Sequence, residues 1–482
     1  MTGQAGSLHY AVRLGVIAKY VGQLGLVLAA LTLVPALVAL LLGELGHALA
    51  YLPPLLVLLV GWALTRHLPT PSQVQINEGM IIVALLFLLV PLLMSYPLMQ
   101  MGLSLQSALF ESISAITTTG LTSLPSQAGL PDALLFSRAW MQWYGGLGIV
   151  VLSLALLVPP GAVAKGLAVN EAETDNLVGS MRAHARHILL IYLGLTLGAL
   201  LLNRLARLDG FDSLLFSLSA VSTGGFAPHD SSLAELAWPA QWAVSLGCLA
   251  GAIPLALYGR GEEQAGNRLQ LVALLLLIAL LSLLLALRLH LDCGLGWQQA
   301  FHHAPLLAIS AQTTAGFSSL EPASLSDGSK ALLLLAMLAG GGVGSTAGGV
   351  KLLRLLIAWS ALRQYLLRSS LPRHAMLEPS LAGRRLADEE IHAALLLILL
   401  FGLLVLLSWL PFVLLGYPPL DALFEVVSAC GTVGLSSGLS QSELPGLLRA
   451  ILALDMLMGR LEILAWLVLL YPGSWLGHRR EV

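Results

Sequence analysis

The sequence predicts an all-α polytopic membrane protein of about ten transmembrane helices, with four pseudo-symmetric units of helix, short helix plus loop, and helix around one central pore. Two extra helices precede the units. Three observations predict this. First, 57% of the 482 residues are hydrophobic and only 10% are charged, with a mean hydropathy of +0.85; a water-exposed surface needs far more charge. Second, apolar runs near the ~20 residues needed to cross a bilayer recur along the whole chain. Third, one short motif, Ser-Ala-x-x-Thr-x-Gly followed by Leu or Phe, occurs four times: SAITTTGL from Ser114, SAVSTGGF from Ser219, SAQTTAGF from Ser310 and SACGTVGL from Ser428. The motif glycines, Gly120, Gly225, Gly316 and Gly434, are about a hundred residues apart, which implies four equivalent positions.

The runs follow in order. Leu24 to Leu42 and Leu52 to Leu64 form the extra N-terminal pair, the second reaching span length only with its flanks. Eight more follow: Met80 to Leu98, Ala139 to Val158, Ile188 to Leu202, Trp238 to Tyr258, Leu269 to Leu287, Ala331 to Leu362, Ala393 to Leu415 and Leu447 to Leu470. Each motif falls between two of them, so the chain divides into residues 1–76, then units at 77–160, 161–262, 263–372 and 373–482. The first run is too long for a signal peptide and lacks a convincing cleavage site, so it is read as mature protein.

Lys and Arg set the orientation. Arg13, Lys19, Arg66, Lys165, Arg182, Arg186, Arg260, Arg268, the stretch from Arg363 to Arg385, and Arg479 and Arg480 all fall on one side. Both termini are therefore expected in the cytoplasm, and the motif-bearing segments face outward. The net charge of −2 gives no reason to expect nucleic acid.

Before each motif lies a segment too short to span, such as SALFESISA from Ser107 or DALFEVVSA from Asp421. Each reads as a half-helix dipping into the membrane, where irregular backbone survives only in protein or along a watery cavity. The negative end of its dipole favours a cation at the motif. Candidate ion-binding residues are Thr118, Thr119 and Gly120; Thr223, Gly224 and Gly225; Thr314, Ala315 and Gly316; and Thr432, Val433 and Gly434. Successive carbonyls can replace a hydration shell, and glycine permits the torsions this needs. None of the cores holds a carboxylate, which argues against a divalent ion and for a large monovalent one. Small-residue helix packing is the alternative use of such motifs, and four spaced copies weigh against it. The second core has Gly-Gly and the fourth Val-Gly, so the ring is only approximately four-fold.

Gly340, Gly341, Gly342, Gly344, Gly348 and Gly349 crowd one stretch of an apolar run, together with Ser345 and Thr346. Each glycine costs ~1 kcal/mol in a helix, so a broken helix and a loop beneath the motifs, a candidate gate, are expected; a glycine-rich packing face is the alternative. Lys351 is either a gating charge or a snorkelling anchor. Arg460 sits inside the last run, where a charge costs ~2.5–3.5 kcal/mol, so it should face the pore; Asp455 and Glu462 are its candidates for a purely structural ion pair.

Glu111, Asp421 and Glu425 flank the motifs and either attract cations or cap and brace the half-helices. His302 with His303, and His184 with His187, lack a third ligand for a metal. Cys248, Cys293 and Cys430 form no ligand spacing or disulfide framework. There is no catalytic motif, no bound cofactor is expected, and GVGSTAGGVK lacks the order of a phosphate loop. A proton- or sodium-coupled secondary transporter is the closest rival, but it normally needs titratable groups at membrane depth and inverted repeats.

The motifs, with AGGGVGSTAGGVKLLRLL from Ala339 and MLMGRLEIL from Met456, resemble the Trk/Ktr/HKT superfamily of potassium-uptake channels, and its bacterial TrkH-type branch in particular. The resemblance covers Met80 to Trp475. It implies potassium as the ion, with rubidium and more weakly sodium as alternatives, and the four motif cores as a selectivity filter. It further implies an arginine, here Arg460, that donates to the glycine-rich loop while the gate is shut. A homodimer in the bacterial inner membrane and a separate cytosolic nucleotide-binding subunit complete the expectation, the latter docking on the basic loops from Arg363 to Arg385 and around Arg182.

Overall fold

The computed structural model describes residues 11–69, 71, 74–157, 172–259, 264–370, 379–440 and 444–476. Lys165, Arg260, Arg479, Arg480 and residues 371–378 of the basic stretch lie outside these, as do the side chains of Arg182 and His184. Six described helices are long and apolar enough to cross a membrane: Leu14–Leu41, Leu45–Thr65, Ile76–Gln100, Ala185–Leu205, Ala265–Cys293 and Asp388–Leu414. Their outward faces carry bare leucines, among them Leu56, Leu197, Leu276 and Leu399, each at least 58% exposed. Such a face is stable only against lipid.

After the N-terminal pair, one order of elements recurs four times: long helix, short helix, motif, second helix. The long helices are Ile76–Gln100, Ala172–Leu205, Gln264–Cys293 and Asp388–Leu414. The short ones are Leu105–Ile116, Gly210–Val221, Trp297–Gln312 and Pro419–Cys430. The second, or inner, helices are Asp132–Leu157, Trp238–Ala252, Asp327–Ala339 and Gly446–Arg460. Local sequence starts the short helices: Ser104 and Asp209 cap the first two, accepting from Ser107 N and Phe211 N, and Pro419 occupies the first turn of the last. The motif alanines Ala115, Ala220, Ala311 and Ala429 are fully buried where the short helices meet their neighbours.

The inner helices correct one expectation. The sequence reading treats the runs Trp238 to Tyr258 and Leu447 to Leu470 as single spans and expects only the third to break. Among the described residues, three of the four inner segments break. Trp238–Ala252 stops at Ile253, extended ahead of Pro254, whose ring disfavours helix in the preceding residue. Asp327–Ala339 ends at Gly340 with φ 67°, and the chain resumes at Leu352–Arg368. Gly446–Arg460 ends before Glu462 and Ile463, both left-handed at φ 55° and 64°. The breaks satisfy one another. Carbonyls freed at Gly251 and Ala252 accept from Thr346 N and Gly342 N, both at 3.2 Å, so the loop of the third unit closes the broken end of the second.

The N-terminal pair is anchored at one end of the molecule. Arg13 grips Glu78 at the start of the first long helix (2.8 Å), and Lys19 Nζ donates to the Arg66 carbonyl. Val12 N donates to Ser474 O at 3.0 Å, which ties these two segments together.

Candidate functional site

The four short helices end in the same way. Their last residues are followed by Thr117, Ser222, Thr313 and Gly431 in helical geometry, then by a threonine in the left-handed region: Thr118, Thr223, Thr314 and Thr432, at φ 54°, 51°, 55° and 49°. The next residues, Thr119, Gly224, Ala315 and Val433, donate from their N–H groups to Ser114, Ser219, Ser310 and Ser428 O at 2.9, 2.7, 2.9 and 2.8 Å. This is a Schellman closure, normally made with glycine at the left-handed position. Threonine there stores about 1–3 kcal/mol of strain per copy, a cost met where function requires it.

The motif glycines then turn the chain again, with φ of 85°, 81°, 75° and 95° at Gly120, Gly225, Gly316 and Gly434. Their surroundings define a ring. A side chain on Gly120 would strike the Gly224 carbonyl oxygen; one on Gly225 would strike Ala315 O, one on Gly316 Val433 O, and one on Gly434 Thr119 O. Each motif therefore abuts the next, and the fourth returns to the first. All twelve candidate ion-binding residues come together, although their motifs are far apart in sequence. The ring presents main-chain oxygens without a carboxylate, at the negative ends of four helix dipoles of about half a charge each.

The acidic residues brace the ring. Glu111 is fully buried and accepts from Ser123 N and Thr122 Oγ1, both 2.8 Å, on the segment leaving the first motif. Its other oxygen pairs with Arg138 at 3.0 Å, whose guanidinium lies 3.9 Å above the Phe226 ring. Glu425 does the same for the fourth, accepting from Ser437 N (2.9 Å) and Ser436 Oγ (3.0 Å). Asp421 pairs with Lys330 at 2.7 Å. Of the two sequence readings of these acids, bracing is the one their contacts follow. His302 and His303 likewise have ordinary partners, Gln241 Oε1 at 2.8 Å and Ser319 Oγ at 3.0 Å.

The glycine-rich loop lies across the end of the ring where the short helices terminate. Thr346 Oγ1 donates to Val221 O (3.0 Å), Gly348 N to Thr314 Oγ1 (2.8 Å) and Gly349 N to Gly431 O (3.0 Å), so the loop touches the second, third and fourth motifs. Gln312 Nε2 donates to Gly340 O at 2.6 Å, and Ser345 Oγ to Gly342 O at 2.6 Å. Gly340 and Gly348 are needed for space, since a side chain on either would meet the Gly348 or Gly431 carbonyl. Gly341 packs on Ala347 and Ala252, whereas Gly344 points no hydrogen position at a neighbour and serves the turn with φ 77°.

Arg460 is 3% exposed and donates to Thr346 O (2.9 Å) and Gly145 O (3.3 Å), tying the loop to the first inner helix. Neither suggested acidic partner meets it. Asp455 accepts from Ser408 Oγ at 2.6 Å, and Glu462 pairs with Lys351 at 2.8 Å and with Arg354. Lys351 is accordingly buried at the end of the loop, which the snorkelling alternative did not anticipate.

Two sets of residues went unnoticed in the sequence. Inner-helix glycines Gly145, Gly251 and Gly459 press directly on the last carbonyls of the short helices, Ile116 O, Val221 O and Cys430 O. Their signal was a glycine recurring at a nearly fixed distance after each motif. Gln142 donates from Nε2 to Gly224 O at 2.5 Å and accepts from Phe226 N at 3.2 Å, and no local pattern announces it.

Long apolar helices around a ring of converging half-helices and neutral oxygens define a multi-pass helical membrane protein. The profile of the TrkH family of cation transport proteins matches residues 56–258 and 271–473, and the chain belongs to that family. Relatives include the Trk system potassium uptake protein TrkI of Halomonas elongata, 32% identical over 95% of this chain and 96% of that protein. Another is the Trk system potassium uptake protein TrkH of Salmonella typhimurium, 29% identical over 95% and 99%. The crystal structure of the potassium transporter TrkH from Vibrio parahaemolyticus superposes with a TM-score of 0.83 at 27% identity, covering 96% of this chain and all of that one.

Proposed function

We propose that this chain is the membrane subunit of a potassium uptake system, conducting K+ through the ring formed by its four motifs. The observation that carries this is the four-fold repetition of a strained left-handed threonine and a positive-φ glycine. Such a backbone stacks carbonyls that can replace the hydration shell of a large monovalent cation. Rubidium should pass, and sodium more weakly. The absence of carboxylates from the ring favours a passive path over proton- or sodium-coupled transport.

The loop from Gly340 to Gly349, held by Arg460, is the gate in this reading. It blocks the inner end of the ring with peptide groups, and the arginine adds a positive charge beside the cation path. The units run over residues 77–160, 161–262, 263–372 and 373–482, after an N-terminal pair at 1–76. The chain works in the bacterial inner membrane with both termini in the cytoplasm, as a homodimer whose gate answers to a separate cytosolic nucleotide-binding subunit on the basic loops.

Purified protein in liposomes tests the reading. With a potassium gradient and no proton gradient, the current should reverse at the potassium equilibrium potential. A reversal potential that follows an imposed proton or sodium gradient instead would assign the chain to the coupled transporters.

A further inference from the structure

We infer that Gln142 is a specificity-determining residue: it supplies from the first unit the side chain that the second motif lacks, and so fixes one of the four carbonyls of the ring. This rests on the reading of the ring as a cation filter and concerns how that filter is tuned.

The residue before the ring glycine is Thr119, Ala315 and Val433 in the first, third and fourth motifs, but Gly224 in the second. Torsion does not require a glycine there, because Gly224 is absent from the positive-φ residues that include Gly120, Gly225, Gly316 and Gly434. Space does. A Cβ on Gly224 would lie 2.9 Å from Gln142 Cβ and closer still to its carboxamide. Gln142 is fully buried on the inner helix of the neighbouring unit, and its amide brackets Gly225 from both sides, through Gly224 O and Phe226 N.

The consequence is an asymmetric ring. Thr119 O, Ala315 O and Val433 O accept no hydrogen bond among the described residues, whereas Gly224 O shares a lone pair with an amide donor at 2.5 Å. The number and field strength of coordinating carbonyls set the preference among monovalent ions, so a donor on one of four alters that preference directly. It also holds still the most flexible backbone position of the ring. Met456 occupies the matching place in the fourth unit, three residues before Gly459 as Gln142 is three before Gly145, and carries no amide. Repeat 3 shows that Ala315 holds the same position with no amide at all.

The experiment measures Na+, K+ and Rb+ flux per folded molecule in liposomes for Gln142→Met, which keeps the volume and removes the amide. The expected result is a several-fold rise in Na+ relative to K+ flux at wild-type yield. Gly316→Ser is the control for the filter reading. If Gly316→Ser loosens discrimination while Gln142→Met leaves all three fluxes unchanged, this inference is wrong and the filter stands; if neither variant changes discrimination, the filter reading itself fails. Should Gln142→Met not fold, size exchange decides: Gly224→Ala is expected to lose K+ flux and Gln142→Ala/Gly224→Ala to regain it. No recovery in the double variant would overturn the contact and with it the inference.

Discussion

A β-branched residue in a left-handed backbone is an uncommon choice, and this chain makes it four times at one register, at Thr118, Thr223, Thr314 and Thr432. The repetition locates the ring more securely than any hydrogen bond does. Gly316→Ser should therefore reduce K+ over Na+ preference about tenfold, roughly 1.4 kcal/mol, because the new Cβ meets Val433 O at φ 75°; ion flux ratios in liposomes check it. Arg460 yields a second prediction. Its guanidinium contacts carbonyls and no carboxylate among the described residues, so Arg460→Ala leaves no buried acid unpaired and should keep its folded yield while raising basal K+ flux. Deleting Gly344 to Ala347 should act in the same direction; low flux with poor yield in both would argue for a purely structural arginine. Both residues were visible in the sequence, one as a repeated motif and one as a charge in an apolar run. The partner of Arg460 was not visible, because Asp455 and Glu462 are near in sequence while Thr346 and Gly145 are near only in space.

Among the elements, the inner helices carry the coupling between the ring and the loop. Gly145, Gly251 and Gly459 allow helix backbone to touch the carbonyl ends of three short helices, the same close approach that small residues give membrane helices generally. Gly459→Ala is expected to cost about 1–3 kcal/mol through overpacking against Cys430 O, with nowhere for the backbone to yield. A lowered midpoint of thermal unfolding in detergent would record it, whereas alanine at the half-buried Gly266, where a Cβ meets no neighbour, should not lower the midpoint. The breaks at Ile253 and after Arg460 follow from Pro254 and from left-handed Glu462 and Ile463. Hydropathy sees neither, since Ile, Leu and Pro-flanked runs remain apolar whether or not they are helical.

At the scale of the whole molecule, the segments at Val12 and Ser474 meet through a main-chain hydrogen bond, and the proposed orientation puts both on the cytoplasmic side. The three cysteines turn this into a direct test. Cys248 and Cys430 are buried and Cys293 is exposed at the end of the third long helix, just before a short helix. A membrane-impermeant maleimide added to intact cells should label this chain at Cys293 alone, and Cys293→Ser should abolish the labelling. Labelling only after permeabilisation would invert the proposed orientation.

By itself the sequence determined the membrane class, the four-fold repetition, the residues of the ring and the broken third inner segment. These are properties of composition, spacing and backbone preference, all of them local. Tertiary structure alone decided which groups answer one another: the cyclic order of the motifs, Glu111 with Arg138, Lys351 with Glu462, the loop of the third unit closing the broken helix of the second, and Gln142 filling the space at Gly224. The reason is physical. A buried polar group must find a partner, but any donor or acceptor of suitable geometry will serve, so its identity is fixed only when packing brings distant segments together.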